Sequence, residues 1–374
     1  MLAVLVSAAG TSASLYVLLT AVPMYAATGV AGGVAAGLTS GALMLSSVVA
    51  ELATPILVPR FGYRAVFGAG LILLGAPALL LPVSTELAIV LAVCVLRGLG
   101  FGITVVVGAA LVARLAPAER RGESLGLYGV VSNVPAVAML PLGAWLVGEV
   151  GFASVFVLGA LGSLAMVAVL PWLPGRGLDS DRHGGVIAGL RTPTSGRPAL
   201  VFAATTVAAG IVVTFLPLTA TANSVELVAT ALLVQAVAAT ASRWWAGRQS
   251  DRKGAGPLLL PGLLVAATGV AVVVVATPFT LIAGMVLFGA GFGIVQSASL
   301  SEMLARVPCS AFTAVGAIWS IADDAGWGLG STAFGLVAVQ TGYPVAFGLT
   351  AGAMLVAVLP AWRDRRAPVS ETQS

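Results

Sequence analysis

The sequence predicts an all-α membrane protein of twelve transmembrane helices in two parallel six-helix bundles. Three observations predict it: an apolar composition, basic residues confined to alternate loops, and an internal repeat. Of 374 residues, 59% are hydrophobic and only 9% charged, with a mean hydropathy of +1.06. A soluble domain carries about 25% charged residues. A chain this apolar cannot cover a globule of its own size with polar surface, which excludes a soluble enzyme, a disordered chain and a nucleic-acid binder. The pI near 9.5 reflects 18 Lys+Arg against 14 Asp+Glu, a net charge of +4 too sparse to track phosphates. Two cysteines, Cys94 and Cys309, stand in unlike contexts, and the single histidine, His183, stands in a polar loop. Neither a disulfide framework, a metal site nor a cofactor is expected from them.

A helix crossing the hydrocarbon needs about 20 mostly apolar residues. Charged and Pro/Gly-rich punctuation divides the chain into twelve such stretches. They run over 2–26, 33–58, 64–82, 87–112, 124–147, 152–173, 198–220, 225–245, 256–276, 279–304, 311–338 and 343–362. The first has no basic segment before it and reads as a poor signal peptide. Glycine, at 46 residues, recurs inside the stretches as small-xxx-small pairs such as Gly98/Gly102 and Gly326/Gly330. Such pairs let helix backbones approach closely in a membrane.

The loops set the orientation. Seventeen of the eighteen basic residues fall in the even-numbered loops and the C-terminal segment, from Arg60 and Arg64 after the second stretch to Arg363, Arg365 and Arg366 at the end. The odd-numbered loops hold only Glu86, Glu149 and Glu226. By the positive-inside rule the even loops and both termini are cytoplasmic. A wrong count of stretches would scramble the alternation.

The chain also repeats itself at a spacing of about 191–194 residues. Thr20-Ala-Val-Pro23 pairs with Thr214-Phe-Leu-Pro217, and Arg60-Phe-Gly62 with Arg252-Lys-Gly254. Gly98-Leu-Gly-Phe-Gly-Ile103 pairs with Gly289-Ala-Gly-Phe-Gly-Ile294, Ala113-Arg114 with Ala305-Arg306, and Gly151-Phe with Gly342-Tyr. Six helices is an even number, so both halves insert in the same sense and form parallel repeats. The expected domains are bundles over 1–173 and 198–362, a cytoplasmic linker over 174–197 and a tail over 363–374. The Gly, Pro, Asp and Arg content of the linker argues for a surface segment.

The second repeat carries Gly247-Arg-Gln-Ser-Asp251-Arg252-Lys253-Gly254 between its second and third helices. This resembles the Gly-xxx-Asp-Arg-x-Gly signature of the major facilitator superfamily. The first copy is degraded to Pro55-Ile-Leu-Val-Pro59-Arg60-Phe-Gly62-Tyr-Arg64, with Pro59 where the family has an acid. The resemblance covers the whole chain and implies transport by alternating access, with these loops as a cytoplasmic gate. Gly247 would let helices approach, Asp251 would accept from a helix N-terminus or an arginine, and Arg252 would anchor at headgroups. Basic loops that serve topology alone are the bland alternative. Three other segments resemble family signatures. Arg97-Gly-Leu-Gly-Phe-Gly102 is similar to the fourth-helix motif, with Cys94 where arginine would fall. Pro135, Pro141 and Gly143 stand in the fifth stretch without a Gly-Pro dipeptide. Asp324-Ala-Gly326 resembles a stretch of the bacterial arabinose-efflux-like permeases.

Four ionisable residues lie well inside the stretches, away from their ends: Glu51, Arg97, Asp323 and Asp324. Each costs about 2.5–3.5 kcal/mol at mid-bilayer and so is expected to face a cavity or a partner. At 1.5 Å per residue, Arg97 lies about 16 Å below the outer end of its helix, close to the midplane. A carboxyl group that alternates between low dielectric and water can bind and release a proton. Asp324, Glu51 and Asp323 are therefore the candidates for proton coupling, with Arg97 as a fixed counter-charge. Glu51 has a structural alternative, a salt bridge with Arg60 or Arg64. Asp323 and Asp324 point about 100° apart and cannot face one spot. Asn133 aligns with Asp324 at the 191-residue offset. Tyr16, Thr20, Asn133, Gln235, Gln296 and Trp319 are the uncharged candidates for a substrate cavity, each also able simply to satisfy its bundle neighbours.

Taken with the resemblance, these features read as a monomeric secondary transporter of a bacterial plasma membrane, exporting a small amphipathic molecule against protons. No Walker-type Gly-xxxx-Gly-Lys-Ser/Thr run is present, so direct ATP drive is not expected. Proton-coupled uptake of a sugar or metabolite is the first alternative. A membrane-embedded lipid-modifying enzyme would need clustered acids, a metal triad or a nucleophile with its base, and the sequence offers none.

Overall fold

A computed structural model describes residues 1–84, 86–116, 121–173, 196–219, 225–275, 277–307 and 312–364. Most of the expected linker, with His183, and Cys309 and the tail from 365 lie outside the described residues. The described chain is helical: α1 (Leu2–Ala27), α2 (Gly32–Phe61), α3 (Tyr63–Gly75), α4 (Leu87–Leu115), α5 (Arg121–Leu164), α6 (Gly196–Phe215), α7 (Val225–Lys253), α8 (Gly256–Val273), α9 (Pro278–Ala305), α10 (Phe312–Thr341) and α11 (Tyr343–Met354). Tighter 3-10 turns extend α3 over Ala76–Val83 and α5 over Ala165–Trp172, and a last short helix covers Val358–Asp364.

Ten of the described helices are long and apolar enough to cross a membrane, against the twelve expected. Two stretches account for the difference. The fifth and sixth run together as one apolar segment, Leu127–Trp172, 46 residues long. Inside it Gly151 (φ 76, ψ 166) breaks the helical path. At 1.5 Å per residue such a segment would be about 69 Å long, twice the hydrocarbon thickness. The eleventh stretch is the 30-residue α10, which carries both Asp323 and Asp324 and is not among the ten.

In lipid every backbone and side-chain hydrogen-bonding group needs a protein partner. Hydroxyls find theirs on the preceding turn, as in Ser7 Oγ to Ala3 O (2.9 Å), Thr11 Oγ1 to Ser7 O (2.8 Å) and Thr54 Oγ1 to Ala50 O (2.6 Å). Others tie neighbouring helices: Ser14 donates to Gly159 O at 2.6 Å and Ser163 to Leu71 O at 2.9 Å. α9 starts on a capping box, with Thr277 and Thr280 exchanging side-chain to backbone bonds ahead of its free N–H groups.

The chain divides into two compact units, Met1–His183 with Val213–Ala229, and Gly184–Val212 with Thr230–Ser374. Each contains the same helix crossing. In the first, Gly98 and Gly102 of α4 lie on Leu43 O and Ser47 O of α2, and Gly100 lies on Leu74 N of α3. In the second, Gly289 and Gly293 of α9 lie on Gln235 O and Ala239 O of α7, and Gly291 lies on Ala266 N of α8. The glycines recur at the 191-residue offset and their partners at 192. The positive-φ corners recur too: Gly62 (φ 82) with Gly254 (φ 81), and Gly151 (φ 76) with Gly342 (φ 80). The repeat read from short sequence echoes is thus a repeat of backbone contacts.

A Cβ added at Gly98 or Gly289 would overlap a carbonyl oxygen of the facing helix, and backbone cannot swing aside as a flexible side chain can. Gly98→Ala and Gly289→Ala are each expected to destabilise the protein by about 1–3 kcal/mol. Gly247→Ala should go the other way. Its Cβ would stand 3.6 Å from Ser297 Oγ, an ordinary contact, and alanine is the better helix former by about 1 kcal/mol. Thermal unfolding of the three detergent-purified variants separates the cases. A common shift for all three would remove the crossing glycines from the packing argument.

Candidate functional site

The second unit gathers most of the chemistry. α10 carries Trp319 and Asp323 one turn apart, so both lie on one helix face. The Trp319 ring stacks on Phe202 of α6, with centroids 4.5 Å apart and planes at 7°. Its Nε1 donates to Ser299 Oγ of α9 at 3.0 Å. Both ends of the indole are thus fixed, and the amphipathic ring holds apolar and polar neighbours together. One turn back on α9, Gln296 accepts a hydrogen bond from Arg243 Nη2 of α7. Arg243 and Asp324 both act electrostatically on Asp323. The Asp323 Oδ1 atom is buried and, among the described residues, has no hydrogen-bond partner. Asp324 is only 7% exposed, and Gln235 and Gln296 are buried as well.

Arg243 is the residue the sequence reading missed. It counts among the seventeen basic residues assigned to the even-numbered loops, yet it stands ten residues ahead of the helix end at Lys253. That distance is about 15 Å along the axis, deep enough to have flagged it as an intramembrane cation. Arginine carries five donors and remains charged, so placed here it can hold a carboxylate, an amide oxygen or an anionic ligand group.

In the first unit Arg97 is wholly buried on α4. Its Nε donates to Leu74 O of α3 at 3.2 Å, while Nη1 and Nη2 have no hydrogen-bond partner among the described residues. Cys94, one turn back on the same helix, is buried as well. Glu51 is buried on α2, while Arg60 and Arg64 are exposed at the corner between α2 and α3. Thr20 ties two helices of the first unit. It is fully buried, donates to Leu140 O of α5 at 3.3 Å and lies against Gly143. Asn133 is half-buried and donates to Gly129 O on its own helix at 2.8 Å, and Tyr16 is half-buried on α1.

The signature loops divide by role. Gly62 and Gly254 hold the left-handed corners that let a following helix start at once, which explains glycine at that motif position. At Gly247 a Cβ would meet Ser297 Oγ of α9 at 3.6 Å, an ordinary contact, while the tightest backbone approaches of this unit fall at glycines such as Gly289 and Gly293. Arg252 is exposed, and the Arg248 guanidinium lies 3.8 Å from the centroid of the Trp244 ring. The side chain of Asp251 lies outside the described residues.

A helical bundle with apolar surfaces and buried ionisable groups defines a polytopic membrane protein. Its sequence matches the family description of the Major Facilitator Superfamily over residues 2–311 and 198–374. The chain belongs to that superfamily, whose members are transporters of small molecules. It is similar to an uncharacterized MFS-type transporter of Mycobacterium tuberculosis, at 27% identity over 139 residues. That match covers 36% of this chain and spans only about a quarter (24%) of the relative. Among solved structures it resembles a D-xylose-proton symporter, with TM-score 0.80, 13% identity, and 100% of this chain and 98% of that one covered. It also resembles a bacterial homolog of the human lysosomal transporter Spinster, with TM-score 0.80, 14% identity and 100% and 97% covered. A third is the nucleoside transporter NupG, with TM-score 0.74, 13% identity and 98% and 99% covered. At such identities these likenesses speak for the fold alone.

Proposed function

We propose that the chain is a proton-coupled exporter of a small amphipathic compound, working by alternating access between two six-helix bundles over 1–173 and 198–362. The segment 174–197 links them and 363–374 forms a tail. The observation that carries the reading is the adjacent acids of α10, Asp324 buried and Asp323 half-buried under the influence of Arg243, a costly arrangement in an apolar helix unless protons or charged groups pass through it. In this scheme Asp324 carries the proton. Asp323 and Arg97 set the local charge, and Glu51 gates or relays. The loops at Arg60, Gly62 and Arg64 and at Gly247, Asp251, Arg252 and Gly254 close the cytoplasmic face. Tyr16, Thr20, Asn133, Gln235, Gln296 and Trp319 border the substrate. The Asp324-Ala-Gly326 stretch supports the arabinose-efflux-like branch, and the symporter of like fold supports proton coupling. The test is a substrate-dependent change of internal pH in proteoliposomes, scanned over a compound library. Substrate flux with no linked proton movement overturns the coupling.

Uptake of a sugar or nucleoside is the second reading, favoured by the names of two of the structural relatives. The sign of the pH change on adding substrate outside oriented vesicles separates the two. The working protein is read as a monomer with twelve spans in a bacterial plasma membrane and both termini cytoplasmic. Reporter fusions after Ser180 and Ser374 should therefore be active only with a cytoplasmic reporter. A periplasmic signal at either position sinks the twelve-span topology.

A further inference from the structure

One lipid-facing stripe of α3 is nearly bare of side chains. Ala65, Gly68, Ala69 and Ile72 fall at helical spacing on one face of α3. Gly68 is buried under Leu170 from the turn after α5, and a Cβ there would stand 2.9 Å from Leu170 Cδ1. The outcome is a groove of about 670 Å³. Phe61 and Ile72 wall it, Gly68 and Leu170 floor it, and Arg64 closes one end as the one charged lining residue among the described residues. Phe61 is 55% exposed and Ile72 49%, an apolar rim on elements that belong to candidate membrane spans. From Arg64 to Ile72 the groove runs about 12 Å along the helix, within the roughly 15 Å depth of one leaflet.

A cation at the interface with an apolar trough leading from it toward the bilayer centre matches the two ends of a phospholipid. We propose that this groove binds an anionic phospholipid, with the phosphate against Arg64 and an acyl chain lying along Ala65 to Ile72. The charge decides the class. Arg60, exposed one turn earlier at the end of α2, adds a second positive charge beside the same corner. A zwitterionic headgroup brings its own cation to this site, whereas an anionic one brings net negative charge. A guanidinium also meets a phosphate through two parallel N–H donors.

The test is native mass spectrometry of the detergent-purified full chain titrated with phosphatidylglycerol or phosphatidylcholine of identical acyl chains. The wild type is expected to take up phosphatidylglycerol about fivefold more tightly. Arg64→Gln should remove that preference and leave phosphatidylcholine binding unchanged, and Arg64→Lys should retain part of it. Ala69→Trp, an exposed position where the ring fills the trough, should lower occupancy by both lipids. Equal uptake of the two lipids by the wild type overturns the proposal, as does a preference that survives Arg64→Gln or full occupancy in Ala69→Trp. Displacement of phosphatidylglycerol by millimolar inorganic phosphate would overturn it in favour of a free-phosphate site.

Discussion

Replacing Asp324 by asparagine is expected to abolish transport driven by a pH gradient while substrate exchange without a gradient continues. The amide keeps the size and shape of the protonated acid, so the site can still form around substrate, but no proton can be released from it. Asp324 is buried on α10, between the turn that carries Trp319 and the turns where Gly326 and Gly330 lie directly on Thr206 and Val207 of α6. Close backbone contact of this kind lets one helix slide on another with few side chains to repack. Asp323 should behave differently. It lies within the electrostatic reach of Arg243, which is bound to Gln296, so Asp323→Asn removes an acid from the surroundings of that cation. A half-buried cation that loses an acidic neighbour is less well compensated, which costs stability. Gradient-driven flux and exchange should fall together in that variant. Glu51→Gln should slow both mildly, as a gating or relay residue would. The measurement is flux against exchange in proteoliposomes for all three variants. If Asp323→Asn loses only the driven flux and Asp324→Asn keeps it, the two acids exchange roles.

The residues explain which parts of this architecture could be read in advance. Span positions follow from solvation: lipid tolerates neither charge nor an unpaired backbone group, so apolar length marks each crossing. The 191-residue echo Gly98/Gly289 was visible because close helix crossings admit only glycine, and the structure places those glycines against equivalent carbonyl groups. Roles were harder to read, because they depend on which face of a helix meets a neighbour. Thr20 is a cavity candidate by residue type, and the structure adds that its hydroxyl ties α1 to α5. Gly247 looked like a crossing glycine because it stands in a signature, yet the tight backbone contacts fall at Gly289 and Gly293. Arg243 was missed for a related reason: a basic residue near a helix end looks like a loop charge until the helix is extended to Lys253. The count of spans differed where a single glycine turns the chain at Gly151 and where two acids lower the apolarity of α10.

Arg97 yields the second large effect, and its sign sets it apart from ordinary core mutations. Truncating a large buried side chain normally costs stability through lost packing. Arg97→Met is expected instead to stabilise the protein by about 2 kcal/mol while removing transport. Methionine is of similar length, flexible and free of polar atoms, so it can fill the same space. What it removes is a buried charge with two terminal nitrogens that, among the described residues, bond to nothing. Each unsatisfied buried donor group costs roughly 1–3 kcal/mol, and one bond from Nε to Leu74 O offsets only part of that. A residue kept at such a cost is retained for what its charge does in another state of the cycle, when an anionic group reaches it. Arg97→Lys should restore part of the transport, since the charge returns without the fork of donors. Arg97→Gln should restore none. Thermal unfolding and proteoliposome flux on the three variants decide the matter. A loss of stability in Arg97→Met, with transport intact, would make the guanidinium a satisfied structural group and end its assignment to the transport cycle.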